Sequence, residues 1–274
     1  MSKGISVPLT LKDKAFIFRG GGLGDFILTL PLISHIQKSY REVTVLTKPS
    51  YFCLVNKPQN LLALLDLDLG LSQVSKRIQG ADIFTFWDDC EWKNELQSLG
   101  ANQIFILQSR PTTGSHIVEA MFNKSNTPFS SSLFSRAWLG DKWKRNFNMW
   151  IHPGSGANYK NMPLSFYKTL AENWLKKKNT HQVTFCFGEA DQRFLNSFKK
   201  ENLICSDRIK FVQPLSIDDY KKNLMQGTYE FWGNDSGPSH LAANLGIPTN
   251  ICYRTTKSSI WKPTGPRVYI HDFS

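Results

Sequence analysis

Short apolar runs alternate with segments of helical spacing along most of the chain. Ala15–Phe18 is a four-residue apolar run, and the glycine-rich turn Gly20-Gly21-Gly22-Leu23-Gly24 follows it. From Asp25 to Tyr40 the spacing is helical, with Leu28, Leu32, Ile33 and Ile36 near one face. Val43–Leu46, Ile83–Trp87 and Gln103–Leu107 read as further strands. The stretch Gly140–Asn148 (GDKWKRNFN) is charged and lacks apolar periodicity, so it reads as a linker. Beyond it the rhythm restarts: a strand at Met149–His152, a second glycine turn at Pro153-Gly154-Ser155-Gly156, then a helix near Leu164–Lys178. Val183–Phe187 and Tyr229–Trp232 are strands, the second leading into Gly233-Asn234-Asp235-Ser236-Gly237-Pro238 and a helix through His240–Leu245; Thr249–Tyr253 closes the set. Strands alternating with helices imply βαβ units and parallel sheets. Two such halves, each opened by a strand and a glycine turn, predict two Rossmann-like α/β domains, residues 1–144 and 145–274, facing each other across a cleft.

Composition agrees with a folded chain. Of 274 residues, 41% are hydrophobic and 20% charged, with 19 Phe and 8 Trp, which excludes wholesale disorder. The 33 Lys and Arg against 22 Asp and Glu leave a net charge of +11, which argues for an anionic partner. Apolar stretches such as Phe26–Leu32 fall far short of the ~18 residues that a membrane span needs. The first residues, MSKGISVPLTLKDK, contain no apolar run of the secretory type. Cys53, Cys90, Cys186, Cys205 and Cys252 are scattered and form no CxxC pair, so neither a zinc site nor a disulfide framework is expected. A cytoplasmic protein of a reducing compartment follows as the expectation.

The glycine turns carry the candidate chemistry. A strand, a glycine turn and a helix let backbone N–H groups approach an anion at the positive helix end. In the first turn Gly20-x-Gly22 matches half of a GxGxxG fingerprint, but Asp25 occupies the third glycine position. A carboxylate there repels a pyrophosphate, and the next strand ends in Thr47-Lys48 without an acidic residue for a ribose, so dinucleotide binding is not expected. Asp25 is either a first-turn carboxylate that stabilises the helix or a general base facing a cleft. In the third turn, the N–H groups of Ser236 and Gly237 can hold a phosphate beside Asp235, with Pro238 tolerated in the first helical turn and His240 one turn in. In the second, Ser155 and Gly156 offer a hydroxyl and a close backbone approach, and Lys160 adds a mobile cation.

Gly20–Pro31 (GGGLGDFILTLP), His152–Pro163 (HPGSGANYKNMP) and Asn234–Pro248 (NDSGPSHLAANLGIP) together resemble the three signature blocks of glycosyltransferase family 9, the ADP-heptose:lipopolysaccharide heptosyltransferases. Met162 stands where the second block usually has an aromatic residue. The resemblance implies a GT-B fold with an N-terminal acceptor domain and a C-terminal nucleotide-sugar domain. It implies Asp25 as catalytic base and Lys160 as the lysine on the donor phosphates. Gly24, Ser155, Gly156, Asp235, Ser236, Gly237 and His240 become donor-binding positions.

The implied reaction is an inverting, metal-independent transfer of a heptose-type sugar from a nucleoside diphosphate, ADP-heptose, to a lipopolysaccharide-core or other glycan acceptor, without a cofactor. Arg110, after the strand Gln103–Leu107, is the candidate for an acidic acceptor. The surplus positive charge suits an anionic glycolipid and peripheral contact with the inner membrane face. Asp88-Asp89 and His116-x-x-Glu119 do not read as metal sites, since such pairs are usually solvated. A non-catalytic nucleotide- or glycan-binding protein that keeps the GT-B frame is the rival reading. Nucleic-acid binding has only net charge behind it and no groove-reading helix or aromatic-interleaved basic motif.

Overall fold

The computed structural model describes residues 11–58, 60–140, 142–188, 191, 195–196 and 206–273. Residues 1–10, with most of the segment judged for a secretory run, and Cys205 lie outside the described residues.

The first half holds the strands β1 (Lys12–Phe18), β2 (Tyr40–Thr47), β3 (Leu61–Asp66), β4 (Asp82–Thr85) and β5 (Gln103–Ile106), in the spatial order β3-β2-β1-β4-β5. The second holds β6 (Asn148–His152), β7 (Gln182–Cys186), β8 (Ile209–Val212), β9 (Glu230–Asn234), β10 (Thr249–Tyr253) and β11 (Val268–Asp272), in the order β11-β10-β9-β6-β7-β8. Every pairing is parallel. Counted from its own first strand, the second sheet runs 6-5-4-1-2-3 and the first runs 3-2-1-4-5. Both therefore share the Rossmann order, with a switch point beside the first strand. In such sheets ligands bind outside the carboxyl ends of the strands at that switch point. Here these ends are the Arg19–Gly22 turn after β1, the Pro153–Gly156 turn after β6 and the Asp235–Gly237 turn after β9.

The expected strands all form, with ends shifted by up to three residues; β1 and β2 start at Lys12 and Tyr40, and Ile83–Trp87 stops at Thr85, which frees Trp87 from the sheet. Three strands were not anticipated, β3, β8 and β11, and each lies at a sheet edge. Helix α1 (Leu23–Ser39) buries Phe26, Ile27, Leu28, Leu30, Leu32, Ile33 and Ile36 around most of its circumference. A helix that is apolar all round must be covered on both sides. One side packs on the first sheet; the other meets α7 (Gly237–Asn244) of the second half. One buried cluster accordingly runs from α1 through Leu241, Ala242, Leu245 and Ile247.

The approach of α1 to α7 requires small residues. A Cβ on Gly237 would stand 2.7 Å from Leu23 Cβ, and one on Gly24 would stand 3.0 Å from His240 Cδ2. Within the charged stretch Lys144 is tied to the second half: its N–H donates to Met225 O and its carbonyl accepts from Thr228 N–H. His116 departs from the expected solvated pair. It is buried ahead of α4 (Ile117–Lys124), accepts from Val118 N–H at Nδ1 and bonds the Lys262 carbonyl through Nε2 at 2.8 Å. Burial takes its pKa down to about 4, only partly offset by that carbonyl. It joins the halves as a neutral ring. Among the described residues Cys53, Cys90, Cys186 and Cys252 are free thiols, and no helix is long and apolar enough to cross a membrane.

Candidate active site

The three glycine turns converge on one cleft of about 660 Å³. From the first half it receives Gly22, Gly24, Asp25 and Arg110, and from the second Gly156, Lys160, Asp235, Ser236, Gly237 and His240. Of the residues expected at the site only Ser155 does not line it. Its hydroxyl turns back on its own loop, donating to Ala157 O at 2.8 Å and accepting from Ala157 N–H at 3.3 Å. Ser155 thus shapes the turn, whereas a Cβ on Gly156 would meet nothing within 4 Å, leaving open space beside that backbone.

The Asp25 carboxylate closes the first turn of its helix and also faces the cleft. Oδ2 accepts from the Gly22 N–H at 2.9 Å, closing the first turn of α1, and Oδ1 lies 3.5 Å from Arg19 Nη2. About a third of the side chain stays exposed, on the cleft side. Arg19 is the notable addition to the expected set. It is buried after β1, with its guanidinium 3.8 Å over the Phe86 ring. Burial lowers its pKa to about 10, against the pull of Asp25 and Tyr51, so it stays cationic at neutral pH. Tyr51 stacks on Phe26 and donates to Gly21 O at 3.1 Å, fixing the same turn. The sequence signal for Arg19 was a single charge at the end of an apolar strand; Tyr51 offered none.

On the opposite wall Asp235 is the hub. Its Oδ2 accepts from Thr256 Oγ1 at 2.6 Å and from Lys160 Nζ at 3.1 Å, while Oδ1 lies 3.8 Å from His240 Nε2. Burial alone would raise its pKa; His240, Lys160 and the Thr256 hydroxyl outweigh that and bring it down to about 2. Because the folded-state value lies below the ordinary 3.8, ionised Asp235 stabilises the fold above pH 4, and the gain is lost as pH falls through 2. The stability difference between the wild type and Asp235→Asn should therefore shrink by about 2 kcal/mol from pH 5 to pH 2, as read by urea unfolding. A carboxylate so engaged orients Lys160 and shares the wall with the amino terminus of α7. No side chain among the described residues caps that helix; Pro238 has no N–H and Ser239 N–H donates to Ser236 O, which leaves the Ser236 and Gly237 N–H groups to an anion. His240 is buried, and its Nδ1 has no hydrogen-bond partner among the described residues.

Behind the wall, Asn234 pins the second and third turns together. Fully buried at the end of β9, it accepts from Met162 N–H at 3.0 Å and Tyr167 O–H at 2.7 Å. Its amide donates to Pro153 O at 2.7 Å and Asn161 Oδ1 at 3.2 Å. Asn234→Ala strands these groups without water, which should cost about 3–4 kcal/mol in a urea melt. Arg110 is exposed at the cleft rim, and Tyr159 presents an aromatic ring that is 65% exposed. No group of three or more metal-ligating side chains occurs among the described residues.

Solved structures share this architecture. A glycosyl transferase family 9 protein from Veillonella parvula matches with a TM-score of 0.75 at 13% identity, covering 96% of this chain and 88% of that one. E. coli heptosyltransferase WaaC with ADP matches with a TM-score of 0.70 at 11% identity, covering 94% and 93%. E. coli ADP-heptose lps heptosyltransferase II matches with a TM-score of 0.70 at 13% identity, covering 94% and 90%. At these identities the likeness concerns the fold, which is GT-B. No curated protein matches the sequence. The family model for glycosyltransferase family 9 (heptosyltransferase) matches residues 115–272, a span that includes the second and third glycine turns and the whole second sheet. With that match over more than half its length, the chain belongs to glycosyltransferase family 9.

Proposed function

We propose that this glycosyltransferase moves a heptose-type sugar, with inversion and without a metal ion, from ADP-heptose or a similar nucleoside diphosphate sugar to a hydroxyl of a lipopolysaccharide-core or related glycan. The observation behind this reading is the placement of Asp25 and the Lys160–Asp235–α7 wall on opposite sides of one cleft. The first half, residues 1–144, takes the acceptor and the second, 145–274, the donor.

Asp25 accepts the proton of the acceptor hydroxyl as its oxygen attacks the anomeric carbon, and the bond from that carbon to the diphosphate breaks. Arg19 and the Gly22 N–H hold the carboxylate toward the cleft. Charge growing on the departing diphosphate meets Lys160 and the Ser236 and Gly237 N–H groups, which need no reorganisation at that moment. Gly24, Gly156, Asp235 and His240 complete the donor side, with Ser155 acting through the shape of its loop. Arg110 at the rim faces an anionic part of the acceptor. Peripheral contact with the inner membrane face belongs to the same reading, as a use for the surplus charge.

A thermal-shift series with ADP, UDP, GDP and CMP tests the donor side. ADP at 100 times its Kd should add about 2.7 kcal/mol of apparent stability, and EDTA should not abolish the shift. A flat response to every nucleotide refutes the donor assignment.

A further inference from the structure

A second cavity opens beside the cleft, at the carboxyl ends of β1, β3 and β4. It measures about 390 Å³ and shares no lining residue with the cleft. Its walls are Phe18, Leu67, Trp87 and Trp92, and Asp68 and Asp89 stand among them. Gly20 links the two spaces: a Cβ there would lie 3.2 Å from Leu67 and 3.5 Å from Trp87, while Gly22, two residues on, already lines the cleft.

The aromatic corner is preorganised. Trp92 donates from Nε1 to Thr85 Oγ1 at 3.1 Å and meets Phe18 edge-on at 5.2 Å. Trp87 stands against Trp92 at 69° with centroids 5.7 Å apart, yet remains 38% exposed. The indole left open beside the candidate active site offers a flat apolar face on which a ligand can lie. The electrostatics narrow what that is. Among the described residues no lysine or arginine lines this cavity, in contrast to the cleft with Arg110 and Lys160. Asp89 spends Oδ1 on the Trp92 N–H at the start of α3 (Cys90–Ser98), which leaves its other oxygen. The Asp68 carboxylate makes no hydrogen bond to a described residue. Two carboxylates without a cation repel a phosphate or an acidic sugar and accept well from hydroxyl donors.

We propose that this cavity is a subsite for a neutral pyranose ring. The C–H face of the ring lies on Trp87 and its hydroxyls donate to Asp68 and Asp89. The ring belongs to the acceptor glycan if the transferase reading above holds. The cavity then grips the sugar next to the one that presents its hydroxyl to Asp25, and Arg110 takes any anionic group on the other side. A nucleobase would also stack on an indole, but the groups that suit a donor diphosphate are on the second half, and this cavity is lined entirely by the first.

Saturation-transfer NMR of the full chain with neutral methyl glycosides tests the subsite without turnover. We expect saturation confined to one face of the bound ring. Trp87→Ala should weaken binding about tenfold, and Asp68→Asn should weaken it several-fold. Both positions are exposed, so both variants should retain the wild-type response to ADP. Absence of glycoside binding in the millimolar range overturns the proposal. So does binding that neither substitution alters, or displacement of the glycoside by adenosine. A protein that binds the glycoside at Trp87 but gives no shift with any nucleotide would refute the donor reading and leave the subsite standing.

Discussion

Asp25→Asn should lower turnover by about 10²- to 10⁴-fold while leaving ADP binding within a factor of about two. Asparagine keeps an oxygen for the Gly22 N–H, so the first turn of α1 survives. It removes the basic oxygen that faces the cleft, and proton acceptance is the only step in the proposed reaction that needs it. The substitution also leaves the buried Arg19 cation without its nearest anion, at 3.5 Å. A fall of a few degrees in Tm should accompany the kinetic loss. The nucleotide shift separates these effects, because the proposed donor wall belongs to the other half of the chain. Wild-type turnover in a folded Asp25→Asn protein would remove the base assignment, and the rival view of a non-catalytic binding protein would gain by it.

Lys160→Ala should reduce kcat/KM by about 10²- to 10³-fold and also weaken donor binding. The loss has two sources. The cation proposed to meet the departing diphosphate is gone, and Asp235 keeps its charge with Thr256 and His240 still beside it. That carboxylate then faces the incoming phosphate unneutralised. The double variant Lys160→Ala/Asp235→Asn should therefore recover part of the donor affinity of the single one, though not its turnover. No recovery would show that Asp235 does not act through Lys160.

Much of this site was readable along the chain. Each glycine turn was expected from its strand before and helix after, and nine of the ten named residues line one cleft. Ser155 is the exception, because its side chain is captured by its own loop two residues on. Two of the three missed strands have a common cause, which β3 with its apolar run LLALL does not share. β8 and β11 are edge strands with only partly buried residues, so neither carries the continuous apolar run that marks a central strand. Arg19 and Asn234 were passed over for a different reason. A polar residue at a strand end looks ordinary until the space behind it is known, and here that space is Phe86 for one and two converging loops for the other.

The sequence by itself determined the two α/β halves, the three anion-capable turns and the carboxylate at the start of α1. All of these depend on residue types within one βα unit, where spacing along the chain dictates geometry. Only the tertiary structure decided that α1 and α7 pack through glycines at van der Waals contact, bringing Asp25 from one half into the same cleft as Lys160 and Asp235 from the other. It alone decided that Asp235 serves Lys160 and that Trp87 stays open beside them. Those outcomes depend on contacts such as Lys160 with Asp235, 75 positions apart, and Gly24 with His240, from opposite halves of the chain. Burial and charge compensation between such partners have no signature in local spacing.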